Sequence, residues 1–396
     1  MTQIATPREE HREQVFDVLR MSLNLAPTYR DERIAWLPID RMRCAFEGDR
    51  IVATAGARDF RQWFGGSELE MSGVTAVATL PEHRGTGLAT RIVRELLHEA
   101  RDKGQAISAL YPATLRPYRG LGYELAGTFT MHEISLADLP AADAGPLEVE
   151  ELDVIRDLDG VRACYVDSAR HQAGPIDCDD PDWWPERILR RGWTDDVHRA
   201  VVARGGRGNV EAYASFTQKK AGGENDFAFL IDCKHLVAST VEGYASLLTY
   251  FRGFRGLGLS LRFVGPPAHP LSNLVEEQRV RPEWTFRWML RLLDVPAALE
   301  QRGYPPVSNE AVIAVEDAQF PENLGPWRVI VDQGTVKVER TEAARQRPIA
   351  IGTLSAMFSG FLSPFDAVTL GLLDPTVAPF LAQLFAGPAP WMHDFF

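Results

Sequence analysis

The feature that most constrains this chain is a glycine-bearing turn joining a β-branched run to an amphipathic helix. Gly73-Val-Thr-Ala-Val-Ala-Thr79 reads as a strand, broken at Leu80-Pro81 and followed by Glu82-His-Arg-Gly-Thr-Gly-Leu-Ala89. From Leu88 the apolar residues Leu88, Ile92, Val93, Leu96, Leu97 and Ala100 recur at the three-and-four spacing of a buried helical stripe. Lys103-Gly104 places a cation in the last turn and a glycine after it, and Ala106–Tyr111 reads as the next strand. Gly85 and Gly87, entering a helix N-terminus, leave several backbone N–H groups pointing one way. Free donors and the helix dipole together favour a phosphate.

Two common phosphate loops are excluded. No GK[ST] occurs in the chain, and position 90 is Thr where the third glycine of a dinucleotide fingerprint falls. What stands here is Arg84-x-x-Gly87-x-Ala89, preceded by Val74-Thr-Ala-Val-Ala78. It resembles the pyrophosphate loop of the GNAT N-acetyltransferases. The resemblance implies acetyl-coenzyme A as co-substrate. Its pyrophosphate would lie on the loop formed by Arg84, Gly85, Thr86, Gly87, Leu88 and Ala89, with Val77 and Ala78 beside the pantetheine arm.

With 396 residues the chain is too long for one ordinary core, so two or three domains are expected. No run approaches the roughly 18 apolar residues of a membrane helix, and the N-terminus lacks the apolar stretch of a signal peptide, so a cytoplasmic protein is expected. Cys44, Cys164, Cys178 and Cys233 show no C-x-x-C, and the nine histidines show no H-E-x-x-H. Reduced thiols and no metal are therefore expected. Forty-two basic against 54 acidic residues, a net charge of −12, argue against nucleic acid and lean towards a cationic substrate.

The pattern divides the chain at 145 and 290. In residues 1–145, Thr6-Pro7-x-Glu9 reads as a capped helix start, with Val15, Val18, Leu19 and Met21–Leu23 turned inward. A hairpin (42–47, 51–59), the phosphate-loop strand and helix, the 106–111 strand and a final strand at 129–134 follow. Residues 146–290 repeat that order, with helices at 154–165 and 183–193, a hairpin at 199–217, a strand at 227–232, a helix at 241–251 and a strand at 259–264. Where the loop would recur stands Lys234-His-Leu-Val-Ala-Ser-Thr240, without glycines, so this copy is expected to wall the first unit's cleft. Residues 291–396 change texture: a short helix at the start, strands at 310–315, 327–331 and 336–340, then helical periodicity from Ile351.

This last region resembles a sterol-carrier-like domain. The whole order, an α/β (α+β) chain of tandem GNAT folds with the second degenerate and then a sterol-carrier-like α+β domain, resembles the Eis family of actinobacterial aminoglycoside acetyltransferases. Leu292-Leu-Asp-Val-Pro-Ala-Ala-Leu299 at the last junction is part of that likeness. Acetyl transfer needs a proton for the departing thiolate, and Tyr118 and Tyr123 both stand after the strand that would part from the loop strand. Tyr118-Arg-Gly-Leu-Gly-Tyr123 matches the family's motif, which makes Tyr118 the general acid and Tyr123 structural. For the base, Glu70 and Glu82 are nearest in sequence to the loop strand. The resemblance instead implies the C-terminal carboxylate, here on Phe396 at the end of an aromatic tail. It also implies Trp36 in the acceptor cleft, a small-molecule amine acceptor and a homo-hexamer. The family's acidic residue before the terminal Phe is Phe395 here, with Asp394 one further back. Acetylation of protein lysine or a polyamine, or lipid binding beside a vestigial GNAT unit, are the alternatives.

Overall fold

The structure, a computed structural model, describes residues 2–24, 37–140, 147–189, 197–222, 225–342 and 347–396. Trp36 and the segment before it lie outside these residues. One 13-stranded sheet organises the first 292 residues. Its strands in chain order are β1 (Gln3–Ala5), β2 (Met42–Glu47), β3 (Arg50–Phe64), β4 (Ser67–Thr79), β5 (Ile107–Leu110), β6 (Glu124–Ser135) and β7 (Glu148–Glu151). β8 (Ile176–Asp177), β9 (Val197–Arg204), β10 (Val210–Lys220), β11 (Phe229–Ala238), β12 (Gly258–Gly265) and β13 (Arg281–Leu292) complete it. They lie in the order β1-β2-β3-β4-β5-β13-β6-β12-β11-β10-β9-β7, with β8 added against β3.

Among the described residues only β4 with β5 and β11 with β12 pair in parallel within this sheet. Each parallel pair needs a crossover. The helices α1 (Arg12–Leu23), α2 (Leu88–Asp102), α3 (Arg116–Arg119), α4 (Val154–Ala169) and α5 (Val241–Arg252) include them: α2 joins β4 to β5, and α5 joins β11 to β12. The sheet is therefore symmetric about its centre. It is also exchanged there, because β6 of the first half lies against β12 of the second, while β13 of the second lies against β5 of the first.

The apolar stripe of α2 is buried at all six expected positions. Gly104 (φ +84°) ends the helix, and the Gln105 amide reaches back to the Ala100 carbonyl at 3.1 Å. The start of α1 departs from expectation. A 3-10 turn, Glu9–His11, precedes it, and the Arg8 amide donates to His11 Nδ1 at 2.9 Å in place of a Thr6 cap. Val15, Val18 and Leu19 are buried as expected, but Met21 and Leu23 are exposed. Trp183–Leu189 forms a π-helical segment.

A division at 290 falls inside β13, which sequence reasoning missed. Its first half, Arg281–Arg287, is mostly exposed, and its second half, Trp288–Leu292, is fully buried, so no single period marks it. The third region carries β14 (Asn309–Ile313), β16 (Trp327–Asp332) and β17 (Thr335–Arg340) as an antiparallel sheet, while β15 (Val315–Glu316) and β18 (Ile349–Ala350) pair in parallel. Its helices are α6 (Val295–Gln301), α7 (Ile351–Ser359), α8 (Pro364–Thr369) and α9 (Ala378–Leu384). Asp294 caps α6 by accepting the Ala297 amide at 3.0 Å. No helix among the described residues is long and apolar enough to cross a membrane.

A buried ion pair ties β13 to the third region. Arg291 Nη2 donates to both oxygens of Asp317 at 2.8 and 2.9 Å, and Asp317 also accepts from the amides of Gln319 and Phe320 and from Asn323 Nδ2. Asp317→Ala leaves a fully buried guanidinium unpaired and is expected to cost about 3–5 kcal/mol. Urea unfolding of the full chain should show that loss, with part of it recovered when Arg291→Met is added.

Candidate active site

The site begins where β4 and β5 part. They pair for three residues, Met71↔Ile107 to Gly73↔Ala109, and β4 then runs on to Thr79 while β5 ends at Leu110. The ladder between β3 and β4 passes from Gly56↔Thr75 to Thr54↔Ala78, so Ala76 and Val77 bulge from it. Ala76 takes φ +53°, an uncommon angle for alanine, and its carbonyl accepts from Thr54 Oγ1 at 2.8 Å. Val77 and Ala78, at the bulge, line the cavity that opens beside it.

The loop that follows turns on Gly85 (φ +79°) and Gly87 (φ +77°), and a Cβ at either would meet open space. Left-handed backbone explains the glycines. Gly87 is also the N-cap residue of α2 and brings no side chain to cap it, so the first-turn amides are left to the surroundings. A cavity of about 490 Å³ opens here, lined by Val77, Ala78, Arg84 and Ala89 and, from the far side, by Tyr118. Arg84 also donates to the Ser22 carbonyl at 3.2 Å.

Tyr118 sits in α3, and Gly122 closes the turn behind it at φ +84°. A Cβ at Gly122 would lie 1.7 Å from Arg291 Nη1, so only glycine fits. Tyr123 is buried, and its hydroxyl lies 2.6 Å from Ser108 Oγ. Tyr118 packs edge-on against it at 6.2 Å, and burial pushes the Tyr118 phenol up to about 12. It is therefore protonated throughout the neutral range.

The tail reaches this region from the second half. The Met392 amide donates to the Thr128 carbonyl at 3.0 Å, and the Trp391 amide donates to the Ala173 carbonyl at 2.9 Å. His235 Nε2 pairs with Asp394 Oδ1 at 3.1 Å, and Arg187 donates to the Phe395 carbonyl. Phe395 then stacks on Tyr111 at 3.9 Å, and Phe396 rests against Phe60 at 4.9 Å. A Cβ at Gly73 would lie 2.6 Å from the Phe60 ring and 2.9 Å from that of Phe396, so the last residue abuts β4 where β5 leaves it.

On the other side of Phe60 lies a cleft of about 810 Å³. Seven carboxylates line it (Asp40, Asp59, Glu70, Asp179, Asp180, Asp182, Glu186) against three arginines, Arg41, Arg58 and Arg61. Arg41 pairs with Asp59, Arg58 with Asp180 at 3.3 Å, and Arg61 with Asp177 at 3.1 Å and with Asp179. The excess of carboxylates makes this a cation-attracting cleft. Glu70 belongs to it, whereas Glu82 is exposed and paired with Arg50 at 2.7 Å. Sequence reasoning missed Phe60, Tyr111, His235 and the acidic run at 179–186, which only the β3–β8 pairing brings to β3. Among the described residues no cluster of His, Cys, Asp and Glu is arranged for a metal.

Family models describing an acetyltransferase (GNAT) domain match residues 3–126 and 179–292, and one describing a sterol carrier protein domain matches 295–393. An uncharacterized N-acetyltransferase of Streptomyces coelicolor is 28% identical over 88% of this chain and 87% of its own. The N-acetyltransferase Eis of Mycobacterium tuberculosis is 25% identical over 79% and 77%. This chain is an Eis-like GNAT acetyltransferase. A solved GCN5-related N-acetyltransferase from Kribbella flavida shares 26% identity over 100% of this chain and 98% of its own, at a TM-score of 0.84. The fold alone is shared with Eis1 of Mycobacterium abscessus, 23% identical over 100% of both chains at a TM-score of 0.81. GNAT membership implies use of acetyl-coenzyme A.

The acetyltransferase buries imidazoles in the half that holds its tail. Burial pushes His393 down to about 3, helped by His235, and pushes His269 down to about 3, helped by His132. His269 Nδ1 accepts the Leu271 amide at 3.2 Å, which requires that nitrogen unprotonated. Both rings are neutral when folded and titrate near 6.5 when unfolded, so below that pH the unfolded chain binds more protons. Stability is thus full above about 6.5 and falls on acidification, by about 1.4 kcal/mol per pH unit per group. The thermal midpoint should drop between pH 7 and 5, and His269→Asn, which keeps a capping acceptor, should flatten the drop.

Proposed function

We propose that the chain transfers an acetyl group from acetyl-coenzyme A directly to a primary amine of a polycationic acceptor, with aminoglycosides the leading class. The observation that carries this reading is the single cavity in which Tyr118 faces Val77, Ala78, Arg84 and Ala89. Loop amides at residues 85–89 hold the pyrophosphate, and the Ala76–Val77 bulge turns its backbone towards the thioester carbonyl. The acidic cleft concentrates the cationic acceptor and brings its amine past Phe60.

In the transfer the amine nitrogen forms the new N–C bond as the C–S bond breaks. The carboxylate on Phe396 takes the amine's proton, and Tyr118 gives its hydroxyl proton to the departing sulfur. The packing of Phe396 against Gly73, Phe60 and Tyr111 supports the first role, and the protonated phenol supports the second. The family resemblance adds a homo-hexamer, which light scattering of the purified protein reads.

Incubation with acetyl-coenzyme A and a panel of aminoglycosides, polyamines and Lys peptides, with acetyl groups counted by mass spectrometry, tests the acceptor. Acetylated aminoglycoside is expected; transfer to peptides or polyamines alone would move the acceptor class and keep the chemistry. Tyr118→Phe should lower kcat by roughly 10²-fold or more with coenzyme affinity nearly unchanged, and an unchanged rate would remove Tyr118 from the mechanism. Adding two glycines after Phe396 should lower kcat without changing the melting temperature, because the aromatic packing is kept and only the carboxylate is displaced.

A further inference from the structure

The second half of the sheet holds a cavity of its own. β11 and β12 pair in parallel as far as Cys233↔Phe263 and then part, and the ladder between β10 and β11 steps over Lys234. This repeats the parting and bulge of β4. In the gap lies a cavity of about 330 Å³, lined by residues of five strands and of the tail. It falls at the small end of ligand pockets, which run roughly 300–1,000 Å³.

Its two walls differ in chemistry. Neighbouring strands supply Lys219, Lys234 and Arg262, with Asp232 among them. Asp232 bridges Lys219 at 2.5 Å and Arg262 at 3.2 Å, which holds both cations at the cavity edge. The facing wall is aromatic: Phe129 and Trp284 stack at 5.3 Å and 13°, and Phe395 lies 4.8 Å from Phe129. Between them is His393, 6% exposed, whose Nδ1 is buried without a hydrogen-bond partner. Asp394, the other lining carboxylate, is held by His235, and Arg262 also pairs with Glu283 at 2.6 Å.

We propose that this cavity is a second binding site, for a small molecule that joins a carboxylate or phosphate to a flat apolar body. The anion meets Lys219, Lys234 and Arg262, and the flat body lies along Phe129, Trp284 and Phe395. The site is separate from the acetyl-transfer cavity, and its test reads binding alone, so it stands whatever the acceptor amine proves to be.

Calorimetric titration of the full chain, with coenzyme A in excess to fill the first half's loop, uses benzoate and phenyl phosphate as probes. One-to-one binding with Kd below about 1 mM is expected for at least one of them. The preferred probe identifies the anion. Arg262→Gln should weaken that binding at least tenfold, and Val264→Phe, which fills the gap, should remove it. Coenzyme A binding measured on both variants reports that the first half remains folded. Failure of both probes to bind wild type, or equal binding by wild type and Arg262→Gln, would overturn the proposal.

Discussion

The antiparallel pair β13–β6 at the centre of the sheet is the contact on which the rest depends. It extends from Arg281↔Glu133 to Leu290↔Glu124 and joins two halves that each exported their last strand. Neither half can close its own sheet, because β5 has β13 on its outer side and β12 has β6. The second half therefore cannot be a detachable appendage: remove it, and β5 loses the neighbour that holds it while β4 departs. The parting needs that fixed edge. A gap between two parallel strands exposes backbone groups on both, and it persists only where the outer strand is held from the other side.

The same exchange delivers residues to the site from regions remote in sequence. β13 carries Arg291 beneath Gly122, and Arg291 in turn is held by Asp317 of the third region. The turn bearing Tyr118 thus rests on all three parts of the chain. The tail follows a similar logic. It bridges β6 at Thr128, is gripped in the second half by His235 and Arg187, and comes to rest in the first half on Tyr111 and Phe60. Hydrogen bonds fix the tail as far as the Phe395 carbonyl, and aromatic packing on Phe60 and Tyr111 places the last residue.

What was legible in the sequence was local. The stripe of α2, the strand before it, the left-handed glycines at 85 and 87 and the Tyr118–Tyr123 turn are set by periods and backbone angles acting within a few residues. The features that were missed come from pairing across long separations. β13 has no uniform period because half of it is exposed and half is in the core. The acidic cleft forms because β8 pairs with β3 and brings Asp179–Asp182 beside Arg58 and Arg61. Sequence reasoning ended the strand at 232 and put His235 in the loop's place; the fold extends β11 to Ala238 and brings His235 to Asp394.

The two partings also differ in how the strand passes into the helix. In the first, β4 ends at Thr79 and α2 begins behind Gly87, whose lack of a side chain leaves the helix donors to a ligand. In the second, β11 continues to Ala238, and Thr240 caps α5 by accepting the Gly243 amide at 3.0 Å. A side-chain cap satisfies the helix start from within, worth about 1 kcal/mol to the fold, and removes a donor that an anion would need. The stretch of β11 beyond the parting in turn carries His235 to the tail. In one half the passage from strand to helix leaves the helix start without a side-chain cap, and in the other it caps its own helix and holds the tail.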